Sequence, residues 1–145
     1  MTVVLDASVL IKWLLADPKR EQDTEHATAL VQAVMSAEFD MLQPFHWLAE
    51  VGAVLARLSP ATAAEDVLML RAMELPSTDE VEVLRRACSL AIDTQQHLFD
   101  TLYHAVALGQ PGAVLITADV RYYKKARAQG HVQLLSDWKP NRAGA

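Results

Sequence analysis

Four carboxylates stand among apolar neighbours where their types and spacing could do chemistry. Asp6 directly follows Val3-Val4-Leu5, and Asp119 comes two residues after Ala113-Val114-Leu115-Ile116-Thr117. Glu50 lies between Ala49 and Val51, and Asp100 interrupts the apolar run Leu98-Phe99-Asp100-Thr101-Leu102-Tyr103. Brought into one crevice, such groups repel one another at short range, so some pKa values rise or the fold weakens unless a cation neutralises them. Oxygen-only ligands select a hard divalent ion, Mg²⁺ or Mn²⁺, over zinc, and leave coordination positions open for a phosphodiester. One or two such ions lower the pKa of a water and stabilise the leaving oxygen in an in-line displacement at phosphorus, which needs no side-chain nucleophile.

Each acid has a plainer reading beside that one. An Asp at a strand-to-helix junction is a good N-cap, which suits both Asp6 and Asp119. Glu50 shares a helical stripe with His46, Ala53 and Arg57 and reads equally as a solvated glutamate with charged company. Asp100 lacks a Glu or Gln at the Tyr103 position to complete a capping box, so capping explains it less well.

The elements that must position these residues follow from the hydrophobic pattern. Val3 to Leu5 suits a short buried parallel strand ending at Asp6. Ser8 can cap a first short helix carrying Val9, Leu10, Trp13 and Leu14, and Asp17-Pro18 stops it before a longer helix through about Met35. Met41-Leu42-Gln43-Pro44 is a weak second strand. Phe45 to Leu58, Thr62 to Met73, Asp79 to Ile92 and Leu98 to Leu108 read as amphipathic helices, with Leu75-Pro76-Ser77 either a vestigial strand or a loop. Ala113 to Thr117 is the clearest strand, Tyr122 to Gln129 the last helix, capped by Gly130, and Val132 to Leu135 a final strand. Helices alternating with short apolar strands imply an α/β sandwich around a mostly parallel sheet. In such a sheet ligands bind outside the carboxyl ends of the strands, where both Asp6 and Asp119 fall.

Length and composition set the frame. With 145 residues and 52% hydrophobic content the chain supports one core, expected over 1–140, with 141–145 a disordered tail. No apolar run is long enough for a membrane span and no signal-peptide pattern opens the chain, so a soluble, cytoplasmic protein is expected. The lone Cys88 forms no internal disulfide, and no Cys or His spacing matches a structural zinc site. The net charge of −5 disfavours a phosphate-rich partner on average, yet it is unevenly spread. From Asp119 onward Arg121, Lys124, Lys125, Arg127, Lys139 and Arg142 outnumber Asp119 and Asp137, leaving +4 there and −9 before it. A basic patch next to an acidic site, or simply a solvated helix face, accounts for that.

Val3-Val4-Leu5-Asp6-Ala7-Ser8, Ala49-Glu50, Phe99-Asp100-Thr101-Leu102-Tyr103 and Leu115-Ile116-Thr117-Ala118-Asp119 together resemble, in order and spacing, the four blocks of the PIN-domain family. In length the chain is similar to the VapC-type toxins of toxin–antitoxin pairs. The resemblance implies a three-layer α/β/α domain in which Asp6, Glu50, Asp100 and Asp119 bind the metal, with Ser8 and Thr117 as accessory polar positions. It also implies Mg²⁺- or Mn²⁺-dependent endonucleolytic cleavage of RNA, an antitoxin protein that restrains it, and a homodimer. Lys12, Arg121, Lys124 and Lys125 are then candidates for RNA contacts. His104, one turn after Asp100, and the pair Tyr122-Tyr123 depart from the family pattern.

Two rivals are weighed against this. A haloacid-dehalogenase-like phosphatase requires a second Asp two residues after the first, where this chain has Ser8. A non-cleaving PIN-like module for RNA or protein would retain acidic repulsion for no return. The apolar content of the helices at 17–35 and 60–92 suggests a dimer or a partner complex. Trp13, Trp47 and Trp138 read as core or interface anchors rather than base-stacking platforms.

Overall fold

A computed structural model describes residues 1–17, 19 and 23–140. Val3, Val4 and Leu5 are buried on both faces of β1 (Thr2–Leu5), as a near-continuous apolar run requires at the centre of a parallel sheet. The sheet has the order β2 (Asp40–Met41), β1, β5 (Val114–Thr117), β6 (Val132–Leu134), and all its pairings are parallel. β1 aligns Val3, Val4 and Leu5 with Val114, Leu115 and Ile116, so the two strands end side by side. The Asp6 N–H extends that ladder by donating to the Ile116 carbonyl at 3.0 Å.

The expected second strand is split. β2 stops at Met41, and Gln43–Pro44 forms β3, which pairs in a separate two-stranded sheet with β4 (Ser77–Thr78). The vestigial strand near Pro76 is therefore real but displaced. Splitting strands leaves the outer edge of Leu5 without a backbone partner, and the fully buried Gln43 side chain takes its place. Gln43 Oε1 accepts from the Leu5 N–H and Gln43 Nε2 donates to the Leu5 carbonyl, both at 2.8 Å. A buried amide thus does the work of a strand immediately before Asp6.

Among the described residues seven α-helices complete a three-layer α/β/α domain: α1 (Ala7–Leu15), α2 (Thr24–Met35), α3 (Trp47–Leu58), α4 (Ala63–Ala72), α5 (Val81–Thr94), α6 (Leu98–Leu108) and α7 (Val120–Ala126). α6 is buried along most of its length against β1, β5 and β3 and carries α5 on its outside. α1 packs on β5, α2 and α3, and α4 lies on α3.

Several boundaries differ from the sequence expectation for local reasons. Asp6, not Ser8, caps α1, accepting from the Ser8 N–H. The last helix begins earlier, at Val120, and tightens into a 3₁₀ turn at Arg127–Gln129. Gly130 then takes a φ of 78°, which its lack of a Cβ permits, and the final strand stops at Leu134 as another 3₁₀ turn begins. Trp47 and Trp138 are buried, and Trp13 packs against the core, as anchors rather than platforms. Pro18 and the tail 141–145 lie outside the described residues.

Candidate active site

Each of the four acids stands at the start of a helix. Asp6 is the N-cap of α1 and Asp119 the N-cap of α7, the latter accepting from the Tyr122 N–H at 2.9 Å. Glu50 and Asp100 occupy the first turns of α3 and α6. Helix N-termini carry partial positive charge from aligned peptide dipoles, which offsets the repulsion of acids gathered there. Capping and clustering are therefore compatible properties of Asp6 and Asp119.

Asp6, Ser8, Lys12, Glu50, Asp100 and Asp119 line one open cleft of about 370 Å³ outside the carboxyl ends of β1 and β5, walled on its apolar side by Ile11, Val54 and Leu58. The expected quartet is thus brought together, with Lys12 beside it. Ser8 donates its hydroxyl to Asp6 Oδ2 and accepts from the Ala118 N–H at 3.0 Å, tying the two strand ends together. The buried Thr117 hydroxyl lies 3.3 Å from Asp6 Oδ2 and accepts from the Asp119 N–H at 3.0 Å. Arg121, Lys124 and Lys125 are exposed on α7 but do not line the cleft, and the two lysines sit in the last turn, at the far end from Asp119.

Electrostatics record the crowding. Burial, with the Glu50 and Asp100 charges adding to it, pushes the Asp6 carboxyl up to about 7 despite its bonds from Ser8. Asp100 is raised by burial and by Glu50 and Asp119, with His97 and His46 opposing. Tyr103 and Tyr122 are both driven up by burial and further by the acids they face.

Sequence reasoning passed over two histidines here. His46, noted only as a neighbour of Glu50, is buried at the start of α3, with Nε2 2.8 Å from Glu50 Oε2 and 2.9 Å from the Phe99 carbonyl. Its spacing of four residues from Glu50 was the available signal. Glu50 is consequently not a solvated glutamate, and Arg57, exposed in the last turn of α3, takes no part. His97 caps α6, its Nδ1 accepting from the Phe99 N–H at 3.0 Å. His104 is structural: fully buried, it bridges the Tyr122 hydroxyl at 2.9 Å and the Gly130 carbonyl at 2.7 Å, and burial lowers its pKa.

The donor set suits a hard divalent cation, since it is all oxygen and Glu50 Oε2 is buried without a hydrogen bond of good geometry. Among the described residues no three His, Cys, Asp or Glu side chains close into a ready-made metal cage.

Fold and cleft together define an α/β protein with a carboxylate-lined site at the carboxyl edge of a parallel sheet. The family model for the PIN domain matches residues 3–128, and the chain belongs to that family, in general a nuclease fold whose members typically depend on divalent metals. No curated protein matches the chain. Among the described residues no helix is long and apolar enough to cross a membrane.

Proposed function

We propose that the protein is a Mg²⁺- or Mn²⁺-dependent endoribonuclease, with Asp6, Glu50, Asp100 and Asp119 as the metal-binding and catalytic residues. The observation that carries this reading is the convergence of four carboxylates, from four separate helix starts, on one cleft beside the ends of β1 and β5. A divalent cation held by these oxygens supplies Lewis acidity, lowering the pKa of an attacking water and neutralising charge at the phosphodiester. Asp6 and Asp119, at the strand ends and held in place by Ser8 and Thr117, would be among the residues that hold such an ion. His46 stands against Glu50, its Nε2 2.8 Å from Oε2. Lys12 meets an RNA phosphate at the cleft, and Arg121, Lys124 and Lys125 track the strand beyond it. The length and motif pattern fit a cytoplasmic VapC-type toxin that forms a homodimer and is restrained by an antitoxin protein.

Purified protein, freed of any bound partner, is expected to cut a mixed pool of structured RNA with Mg²⁺ or Mn²⁺ and to stop with chelator or with Asp6→Asn. Metal binding without cutting of any RNA would overturn the assignment. It would favour a non-cleaving PIN-like binding module.

A further inference from the structure

Two large aromatic side chains are exposed beside the acidic cleft. Phe45, between β3 and α3, is 55% exposed, and Phe99, in the first turn of α6, is 50% exposed. Buried His46 lies between them, with ring centroids 5.8 Å from Phe45 and 5.1 Å from Phe99. His97 packs edge-on to Phe99 at 4.9 Å, so that Phe45, His46, Phe99 and His97 make a continuous aromatic strip. The strip joins the cleft directly, because His46 Nε2 is 2.8 Å from the Glu50 carboxylate and Phe99 adjoins Asp100 in the chain.

We infer that this strip, held open by two helix starts, is a stacking subsite for an unpaired base of single-stranded RNA next to the phosphodiester at the acidic cleft. The inference rests on the nuclease reading and adds the residues that would hold the base beside the phosphodiester. Solvating two phenyl rings is unfavourable, and neither is needed by the core, whereas a nucleobase covers such a ring without requiring a particular sequence. The His46 ring, 2.8 Å from the Glu50 carboxylate and next to both phenyl rings, links the acidic cleft to the strip where a base flanking a bound phosphate could stack. The other exposed large hydrophobic side chains are aliphatic and stand on other elements, among them Met35 on α2, Leu68 and Met69 on α4 and Val81 and Ile92 on α5. A duplex, whose bases are already stacked, offers no face to the strip.

The test uses Asp6→Asn protein with Mg²⁺ and a short, random-sequence, fluorescein-labelled single-stranded RNA, read by fluorescence anisotropy. Phe45→Leu and Phe99→Leu, which keep apolar bulk but remove the ring, are each expected to weaken binding about ten-fold, and Phe99→Tyr to restore it. An abasic ribose-phosphate chain of the same length is expected to bind more weakly and to be indifferent to the Leu substitutions. Tight RNA binding that neither Leu substitution alters would overturn the subsite while leaving the nuclease reading in place. Substitutions that change the molar mass in light scattering but not RNA affinity would also overturn it, making the strip a protein contact. Absence of RNA binding by the parent protein would overturn both.

Discussion

Asp6 accepts the capping N–H of α1 and at the same time faces the Glu50 and Asp100 charges, so its ionised form is held in the fold against opposition. Its folded pKa, about 7, is above its ordinary value of 3.8. A group raised in this way contributes stability that is complete below the unfolded pKa and is lost as pH rises through the folded one. The metal-free protein is therefore expected to lose thermal stability between about pH 4 and pH 7. Asp6→Asn keeps an oxygen for the Ser8 donors and removes the charge. It should flatten part of that slope and, at pH 8, stabilise the metal-free protein by about 1–3 kcal/mol, while cleavage falls at least about a hundred-fold. Melts across pH with and without Mn²⁺ check this, since an ion that binds only the folded state raises the Tm of the parent and less so that of the variant. A variant less stable than its parent at every pH would make Asp6 a purely structural cap. His104 behaves oppositely. His104→Ala strands the Tyr122 hydroxyl and the Gly130 carbonyl and is expected to cost about 2–4 kcal/mol in urea denaturation, with cleavage per folded molecule little changed.

Gln43 shows what an element can owe to one side chain. Its amide occupies the outer edge of β1 where a longer β2 would otherwise lie, and both of its bonds go to the residue preceding Asp6. Gln43→Leu leaves a buried N–H and a buried carbonyl unpaired and should destabilise by about 2–4 kcal/mol. The urea midpoint should fall without a change in m, and a neutral result would mean that β1 needs no partner there. The same residue marks where sequence pattern stops being informative. The strand ends at Asp6 and near Asp119 and most helices are legible, because apolar periodicity and the Gly and Pro stops report burial directly. Met41 to Pro44 reads as one weak strand because its apolar and polar residues carry no sign that Leu42 separates pairings to two different sheets. The two histidines at helix starts are less legible. His97 is an isolated polar residue at a helix start with no such spacing, and His46's i,i+4 relation to Glu50 gives no hint that its ring also packs α3 against Phe99 of α6. The four acids stand out in the sequence as positions, whereas their arrival on one cleft depends on how four helix starts pack together, which no motif encodes.

At the scale of the whole molecule, the proposed RNA substrate would require this acidic protein to concentrate cations where the strand runs. The net charge of −5 gives no general attraction for phosphate, and the cleft itself is anionic before an ion is bound. Arg121, Lys124 and Lys125 are exposed on α7, the helix that starts at Asp119, and so extend from the acids toward solvent. If the RNA follows α7, simultaneous Arg121→Ala, Lys124→Ala and Lys125→Ala should weaken binding to Asp6→Asn protein and reduce the slope of log K against log salt by about 2, at roughly 0.7 per phosphate contact for a single strand. The fold should be untouched, because none of the three side chains is buried. Arg85, exposed on α5 and paired with Glu82 at 2.8 Å, is the control whose loss should leave the slope alone. Anisotropy titrations over a range of salt, with thermal melts alongside, make the comparison. An unchanged slope in the triple variant would move the phosphate track off α7 and toward the Lys12 side of the cleft, where the same titration on Lys12→Ala decides between the two walls.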